Sequence, residues 1–154
     1  MAEWDMRRDD AFVAGLEAML DRLLNDSDRR YEVIELQAAY IMLWSGIERL
    51  IALKHSFKES TEKDILEYLE ENREIQNIFN SISEKPEPFR PIYLTKKPKD
   101  KIQFIPQNTK KCLIYLRSIR HNVVHRGKAG MVDTDLTFYA IEFSRKIFQK
   151  LYQF

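Results

Sequence analysis

Apolar residues recur every three or four positions through most of this 154-residue chain, which is the spacing of one face of an α-helix. The middle of one long stretch, AAYIMLWSGIERLIAL, is apolar nearly all round, so we expect its helix to be the most buried. The pattern predicts five helices, at about Asp9–Asn25, Asp28–Phe57, Thr61–Ser81, Asn108–Arg126 and from Asp133 to the end.

All five prolines fall between Pro86 and Pro106, which confines the irregular part of the chain. Within it, PIYLT and KIQFI alternate apolar and polar positions on either side of KKPKD, as the two strands of a small β-hairpin do. The predicted fold is therefore all-α. It is a four- to five-helix bundle with an inserted Pro-rich loop or small β-hairpin at about 84–107, in a single domain over 1–154.

Cysteine content and hydropathy indicate the cellular compartment and whether the chain crosses a membrane. Cys112 is the only cysteine, which excludes an intramolecular disulfide and a thiolate zinc site and favours a reducing, cytoplasmic compartment. The longest uninterrupted apolar run, Ala38 to Trp44, is far shorter than the roughly 20 residues of a membrane-spanning helix. We therefore expect a soluble protein without a membrane partner.

Charge is unevenly distributed along the chain. Residues 1–84 carry ten Lys and Arg against nineteen Asp and Glu, whereas residues 85–128 carry twelve Lys and Arg against Glu87 and Asp100. Such a basic segment in an otherwise acidic or neutral chain indicates a polyanionic partner. The acidic and basic parts can also pair with each other, within the fold or across a dimer.

The fourth predicted helix places an arginine inside its own apolar face. Arg120 lies among Leu113, Leu116, Ile119, Val123 and Val124 on a helical wheel of about 100° per residue. A guanidinium cannot lose its charge, so it needs an ionic partner or a cleft. Both a structural ion pair and a functional site satisfy this need. Glu48, the only carboxylate in the apolar centre of the second helix, needs a cation in turn, and we expect it to orient Arg120 or a histidine.

Two histidines follow Arg120 at a spacing of four residues. His121 and His125 have the spacing of a two-histidine metal site, but a zinc protease would carry Glu where Asn122 stands, and Arg120 repels a dication. We therefore expect no metal and no cofactor. Near neutral pH, His125 can act as a general acid or base.

The segment RHNVVH, from Arg120 to His125, resembles the signature of the HEPN superfamily (higher eukaryotes and prokaryotes nucleotide-binding): an Arg, a polar residue and a His five positions after the Arg. Its position late in a penultimate helix, after a long apolar helix with a Glu, is similar too. The family often has Asn or Asp directly after the Arg, where this chain has His121 and then Asn122. A Tyr usually follows the His in HEPN toxins paired with a nucleotidyltransferase antitoxin; Arg126-Gly127-Lys128 follows here, so tyrosine modification is not predicted.

The resemblance implies a metal-independent endoribonuclease, a toxin or antiviral defence effector, whose site forms when two subunits of a homodimer join their motif helices. A regulatory or antitoxin protein is a further implied partner. Arg120 and His125 take the family's two catalytic roles, with His121, Asn122 and Glu48 as additional catalytic candidates. RNA is then the polyanion, and its expected contacts are Lys96, Lys97, Lys99, Lys101, Arg117, Arg126 and Lys128.

Two alternatives remain open at this point. The chain can be a non-catalytic helical module that binds RNA, a nucleotide or a protein, because a fold does not fix a function. It can also be a structural domain in which Arg120 pairs with Glu48 in the core.

Overall fold

The computed structural model describes residues 6–25, 33–55, 62–94, 97–126 and 131–152. These residues are mostly helical, as the apolar pattern predicts. In chain order the elements are α1 (Met6–Asn25), α2 (Val33–His55), α3 (Glu62–Glu71), α4 (Arg73–Asn80), β1 (Ile92–Leu94), β2 (Lys97–Ile102), α5 (Thr109–Arg126) and α6 (Met131–Tyr152).

The third predicted helix is in fact two helices, and Asn72 separates them. The Asn72 side chain accepts hydrogen bonds from the backbone N–H groups of Glu74 and Ile75, at 3.0 and 3.2 Å. Its extended backbone (φ −74°, ψ 119°) interrupts the helix, and Asn is among the residues that favour this capping position. The prediction of one continuous helix to Ser81 was wrong, and the described residues form six helices rather than four or five.

The predicted hairpin is confirmed, with different strand bounds. β1 and β2 are antiparallel, with Ile92 opposite Ile102 and Tyr93 opposite Lys101. The register then shifts, so that Leu94 lies opposite Lys97. The shift falls opposite the segment containing Pro98, which has no backbone N–H to give to a ladder. Most of KKPKD, expected at the tip, therefore belongs to β2, whereas Gln103 to Ile105 lie outside the strand.

Helix α2 lies against four other helices, α1, α3, α5 and α6. The Trp44 indole N–H donates to Ser144 Oγ on α6 at 3.1 Å, and the Tyr40 hydroxyl donates to the Leu116 carbonyl on α5 at 2.5 Å. Both rings are fully buried, and burial raises the pKa of Tyr40. Because buried polar groups are costly unless bonded, these two contacts fix how α5 and α6 sit on α2.

The Pro-rich segment is anchored to the helices by aromatic side chains on both sides of the hairpin. Phe89 precedes the hairpin and Phe104 follows it, and their ring centroids lie 4.9 Å apart. The Tyr115 hydroxyl of α5 donates to the Arg90 carbonyl at 2.6 Å. The insertion is thus packed onto the core by a cluster formed from Phe79, Phe89, Phe104, Tyr115 and Phe143.

Across the described ranges, none of the helices combines the length and the apolar character needed to cross a membrane.

Two helical glycines provide a test of this packing. A Cβ added at Gly15 meets no atom within 4 Å, whereas one added at Gly46 lies 3.0 Å from the Phe148 ring. We expect Gly15→Ala to raise the free energy of unfolding by about 0.5–1 kcal/mol, because alanine loses less backbone entropy in a helix. Gly46→Ala should give no such gain and should lower stability, because the ring must move. Urea unfolding of both variants measures this; an equal gain at both positions would contradict the close approach of Phe148 to α2.

Candidate functional site

One carboxylate oxygen on α2 holds two arginines of α5. Glu48 Oε1 accepts from Arg117 Nη1 and from Arg120 Nη1, each at 2.5 Å. The prediction that Glu48 lies against the helix with the RHNVVH segment, paired with Arg120, is confirmed. Arg117 is a second partner that the sequence did not predict.

The cluster forms because two periodic stripes of residues meet. Tyr40, Trp44 and Glu48 are spaced by four on α2, and Arg117 and Arg120 by three on α5, so each set shares one helix face. The Arg117 guanidinium carbon lies 5.9 Å from the centroid of the Trp44 ring, within the range of a cation–π contact. Tyr40 and Trp44 are fully buried and Glu48 is half-buried, so the stripe reaches the surface at the ion pair.

The three charges leave a surplus of one positive charge at the edge of the core. The side chains of Arg117, Arg120 and Glu48 are 12%, 22% and 24% exposed, so Arg120 is the more accessible arginine. Within the described part of the chain, Arg120 Nε is buried without a hydrogen-bond partner. A partly desolvated surplus charge attracts anions, and a planar guanidinium matches the oxygens of a phosphate. The arrangement can therefore bind a phosphate through Arg120 while Glu48 holds the side chain in place.

The apolar face of α5 is confirmed for most of its length. Leu113, Leu116 and Ile119 are buried and Val123 is half-buried, but Val124 is 52% exposed. The placement of Val124 in the core was wrong. It lies one turn beyond Arg120, where the ion pair already marks the edge of the core.

The other residues of the RHNVVH segment lie at different angles around the axis of α5. Asn122 Nδ2 donates to the Tyr93 carbonyl of β1 at 2.9 Å, so this amide faces the hairpin. His121 is half-buried. The backbone of His125 and Arg126 belongs to the last turn of α5, but their side chains, like Lys128, lie outside the described residues.

The expected RNA contacts separate into two groups. Lys99 and Lys101 are exposed on β2, as a polyanion-binding surface requires, while Lys96 and the side chain of Lys97 lie outside the described residues. Arg117 differs from the expectation, because its guanidinium is mostly buried against Glu48 and Trp44. Its role in the structure is to hold the cluster. The i, i+3 spacing of Arg117 from Arg120 is the feature of the sequence from which this role could have been predicted.

Burial raises the pKa of the Cys112 thiol to about 12, so the thiol stays protonated near neutral pH. No group of three or more metal-ligating side chains occurs among the residues that the structure describes. A cleft of about 510 Å³ between α3 and α5 lies towards the other end of α5 and is lined by Lys63, Leu66, Glu67, Glu70, Lys110, Leu113 and Ile114.

Comparison of the chain with models of protein families, with curated proteins and with solved structures gave no match.

The cluster can be tested by removing its negative charge. Glu48→Gln removes the carboxylate that Arg117 and Arg120 share, and we expect the free energy of unfolding to fall by about 1–3 kcal/mol. Added phosphate should restore part of the loss, because the anion replaces the carboxylate. Urea unfolding with and without phosphate measures both effects.

Glu35→Gln is the matched control. Its ion pair with Arg22 is 3.4 Å long and about half exposed, and such pairs contribute only about 0–1 kcal/mol. An equal loss of unfolding free energy in the two variants would show that the Glu48 cluster stabilises the fold no more than an exposed ion pair does.

Proposed function

We propose that this chain is a metal-independent endoribonuclease of the HEPN type, with Arg120 and His125 as its catalytic pair. The observation that carries the proposal is the half-buried, net positive cluster in which Glu48 holds Arg120, five residues before His125 on the same helix. A toxin or antiviral defence effector in the cytoplasm, restrained by a regulatory or antitoxin protein, is the setting this proposal implies.

The reaction needs only groups that the chain and RNA supply. The 2′-hydroxyl of the substrate attacks the adjacent phosphorus, and the bond from phosphorus to the 5′-oxygen breaks. His125 takes the proton of the 2′-hydroxyl or gives one to the leaving 5′-oxygen, and water carries out the other proton transfer. Arg120 stabilises the charge that develops on the phosphoryl oxygens. Glu48 occupies Nη1 of Arg120 and Nε is buried, so Nη2 is the nitrogen left to donate to the phosphate.

A homodimer is part of the proposal. Arg120 and His125 are about 140° apart around the axis of α5, so one helix does not readily direct both at one phosphate. Two copies of α5 facing each other would supply the pair from different subunits. Among the described residues, four of the six exposed large apolar side chains lie on the two helices that carry the cluster, which supports this arrangement: Ile34, Met42, Leu53 and Val124.

A non-catalytic module that binds RNA, a nucleotide or a protein is the second candidate. It is favoured by the fact that Glu48 already satisfies a donor of both arginines without any ligand. In that case the cluster is a structural ion network, and phosphate binding is all that its surplus charge provides.

Cleavage of RNA in EDTA distinguishes the two. We expect the wild-type protein to produce fragments ending in 2′,3′-cyclic phosphate and 5′-hydroxyl, and His125→Ala to lose about 10²–10⁴-fold in rate, as for a missing general acid or base. Arg120→Ala should also be inactive, and Arg120→Lys should recover only partly, because an ammonium group lacks the planar set of donors with which a guanidinium contacts Glu48 and a phosphate at once. Arg73→Ala, an exposed arginine on α4, is the control and should keep full activity.

Cleavage of an all-2′-deoxy substrate at a similar rate, or a requirement for added metal, would exclude this mechanism. Binding of RNA without cleavage would favour the non-catalytic module.

The dimer can be tested separately through its apolar face. Met42→Glu places a charge on the exposed face of α2, where Met42 is 42% exposed, and we expect it to shift a dimer to a monomer and to abolish cleavage. Ile105→Glu is matched, because Ile105 has the same exposure but lies outside α2 and α5. It should remain dimeric and active. Light scattering at micromolar concentration reports the mass, and a wild-type monomer there would contradict the composite site.

A further inference from the structure

Tyr93 on β1 is the only aromatic side chain that is exposed among the described residues, at 43%. Its neighbour Ile92 is buried and Ile102 is half-buried, so this side of the hairpin faces the core. Side chains alternate along a strand, and Tyr93 therefore lies on the opposite, solvent-facing side. An aromatic ring here contributes little to the core and is available to a partner.

The residue opposite Tyr93 in the ladder is Lys101. Directly opposed residues of an antiparallel pair project from the same face, with Cβ atoms about 5 Å apart. Lys99 is also exposed, in the part of β2 where the register shifts. The solvent face thus places one flat ring opposite Lys101, with a second exposed lysine on the same strand, in the segment 85–128 where Lys and Arg far outnumber Asp and Glu.

The hairpin is also fixed relative to the RHNVVH segment. The Tyr93 carbonyl accepts the hydrogen bond from Asn122 at 2.9 Å, and Asn122 stands two residues after Arg120. Phe89 and Phe104 pack the chain on both sides of the hairpin into the core. The ring and the lysines therefore have a set position next to the end of α5 that carries the cluster.

We propose that this face of the hairpin binds single-stranded RNA, with an unpaired base stacked on Tyr93 and the adjacent phosphates bound by Lys101 and Lys99. Asn122 is a positioning residue that joins this platform to the motif helix. A ring exposed on a strand can stack only on a base whose face is free, and bases in a duplex already stack on each other. Only the identity of the polymer as RNA rests on the proposed function.

Binding is measured with a substrate that cannot be cleaved. A fluorescent 2′-O-methyl RNA of about ten nucleotides lacks the nucleophile, and its anisotropy reports affinity as a single strand and as a duplex. We expect tighter binding of the single strand. Tyr93→Ala should weaken that binding about 5- to 150-fold, the loss of one base–aromatic stack, and Tyr93→Phe should bind like the wild type. Duplex binding should not change in Tyr93→Ala.

Lysine variants test the phosphate contacts. Lys101→Ser should lower the slope of log affinity against log salt by about 0.7, the contribution of one phosphate on a single strand. Lys150→Ser removes the same charge from an exposed position on α6 and should leave the slope unchanged.

Asn122→Leu tests the positioning role, because it removes the donor that faces the Tyr93 carbonyl without adding a charge that would itself repel phosphates. Single-strand binding should weaken, and the Asn122→Leu, Tyr93→Ala double variant should bind no more weakly than Tyr93→Ala alone. Losses that multiply instead would show that Asn122 does not act through the hairpin.

Unchanged single-strand affinity in Tyr93→Ala overturns the platform, as does a loss in Tyr93→Phe equal to that in Tyr93→Ala. Dissociation of a dimer in Tyr93→Ala overturns it too, since the ring would then serve a protein interface. If RNA binding depends on Tyr93 but ordinary RNA is not cleaved, the platform is supported and the ribonuclease proposal is refuted. If ordinary RNA is cleaved but its binding does not depend on Tyr93, the ribonuclease proposal is supported and the platform is refuted.

Discussion

The sharing of Glu48 Oε1 between Arg117 and Arg120 is the interaction around which α2 and α5 are arranged. Neither arginine can lose its charge, and burying a guanidinium deeper among apolar neighbours would be costly. The pair must therefore lie where the aromatic stripe of α2 reaches the surface. This constraint sets the edge of the core, the exposure of Val124 and the position of the RHNVVH segment.

The same interaction explains why one geometry supports both a catalyst and a structural element. A carboxylate that holds an arginine by one nitrogen restricts its rotation, and a restricted cation binds an anion with less entropy to lose. Stability and preorganisation thus come from the same contact. A catalyst would differ from a structural element in the fate of a bound RNA, which would depend on whether a proton-transfer group reaches a phosphate at Arg120.

The sequence predicted the features that depend on side-chain period and on unbalanced charge. It located the long helices, the hairpin and the approach of Glu48 to Arg120, because a lone carboxylate and a lone guanidinium in apolar stripes need each other. The break at Asn72 was missed, although the apolar phase slips there: Leu69 and Ile75 are buried six residues apart. The hydrogen bond from Asn122 to β1 could not be predicted from the sequence, because its acceptor is a backbone carbonyl, a group that every residue has.

Gly46 lies on the side of α2 away from Glu48, about 200° around the helix axis, and the Phe148 ring of α6 rests where a Cβ would be. A Cβ at position 46 would press against this ring, so the packing of α2 on α6 depends on the glycine. A larger residue at position 46 would push α6 away from α2, so the packing that carries Glu48 towards Arg120 depends in part on a small residue on the opposite side of the same helix.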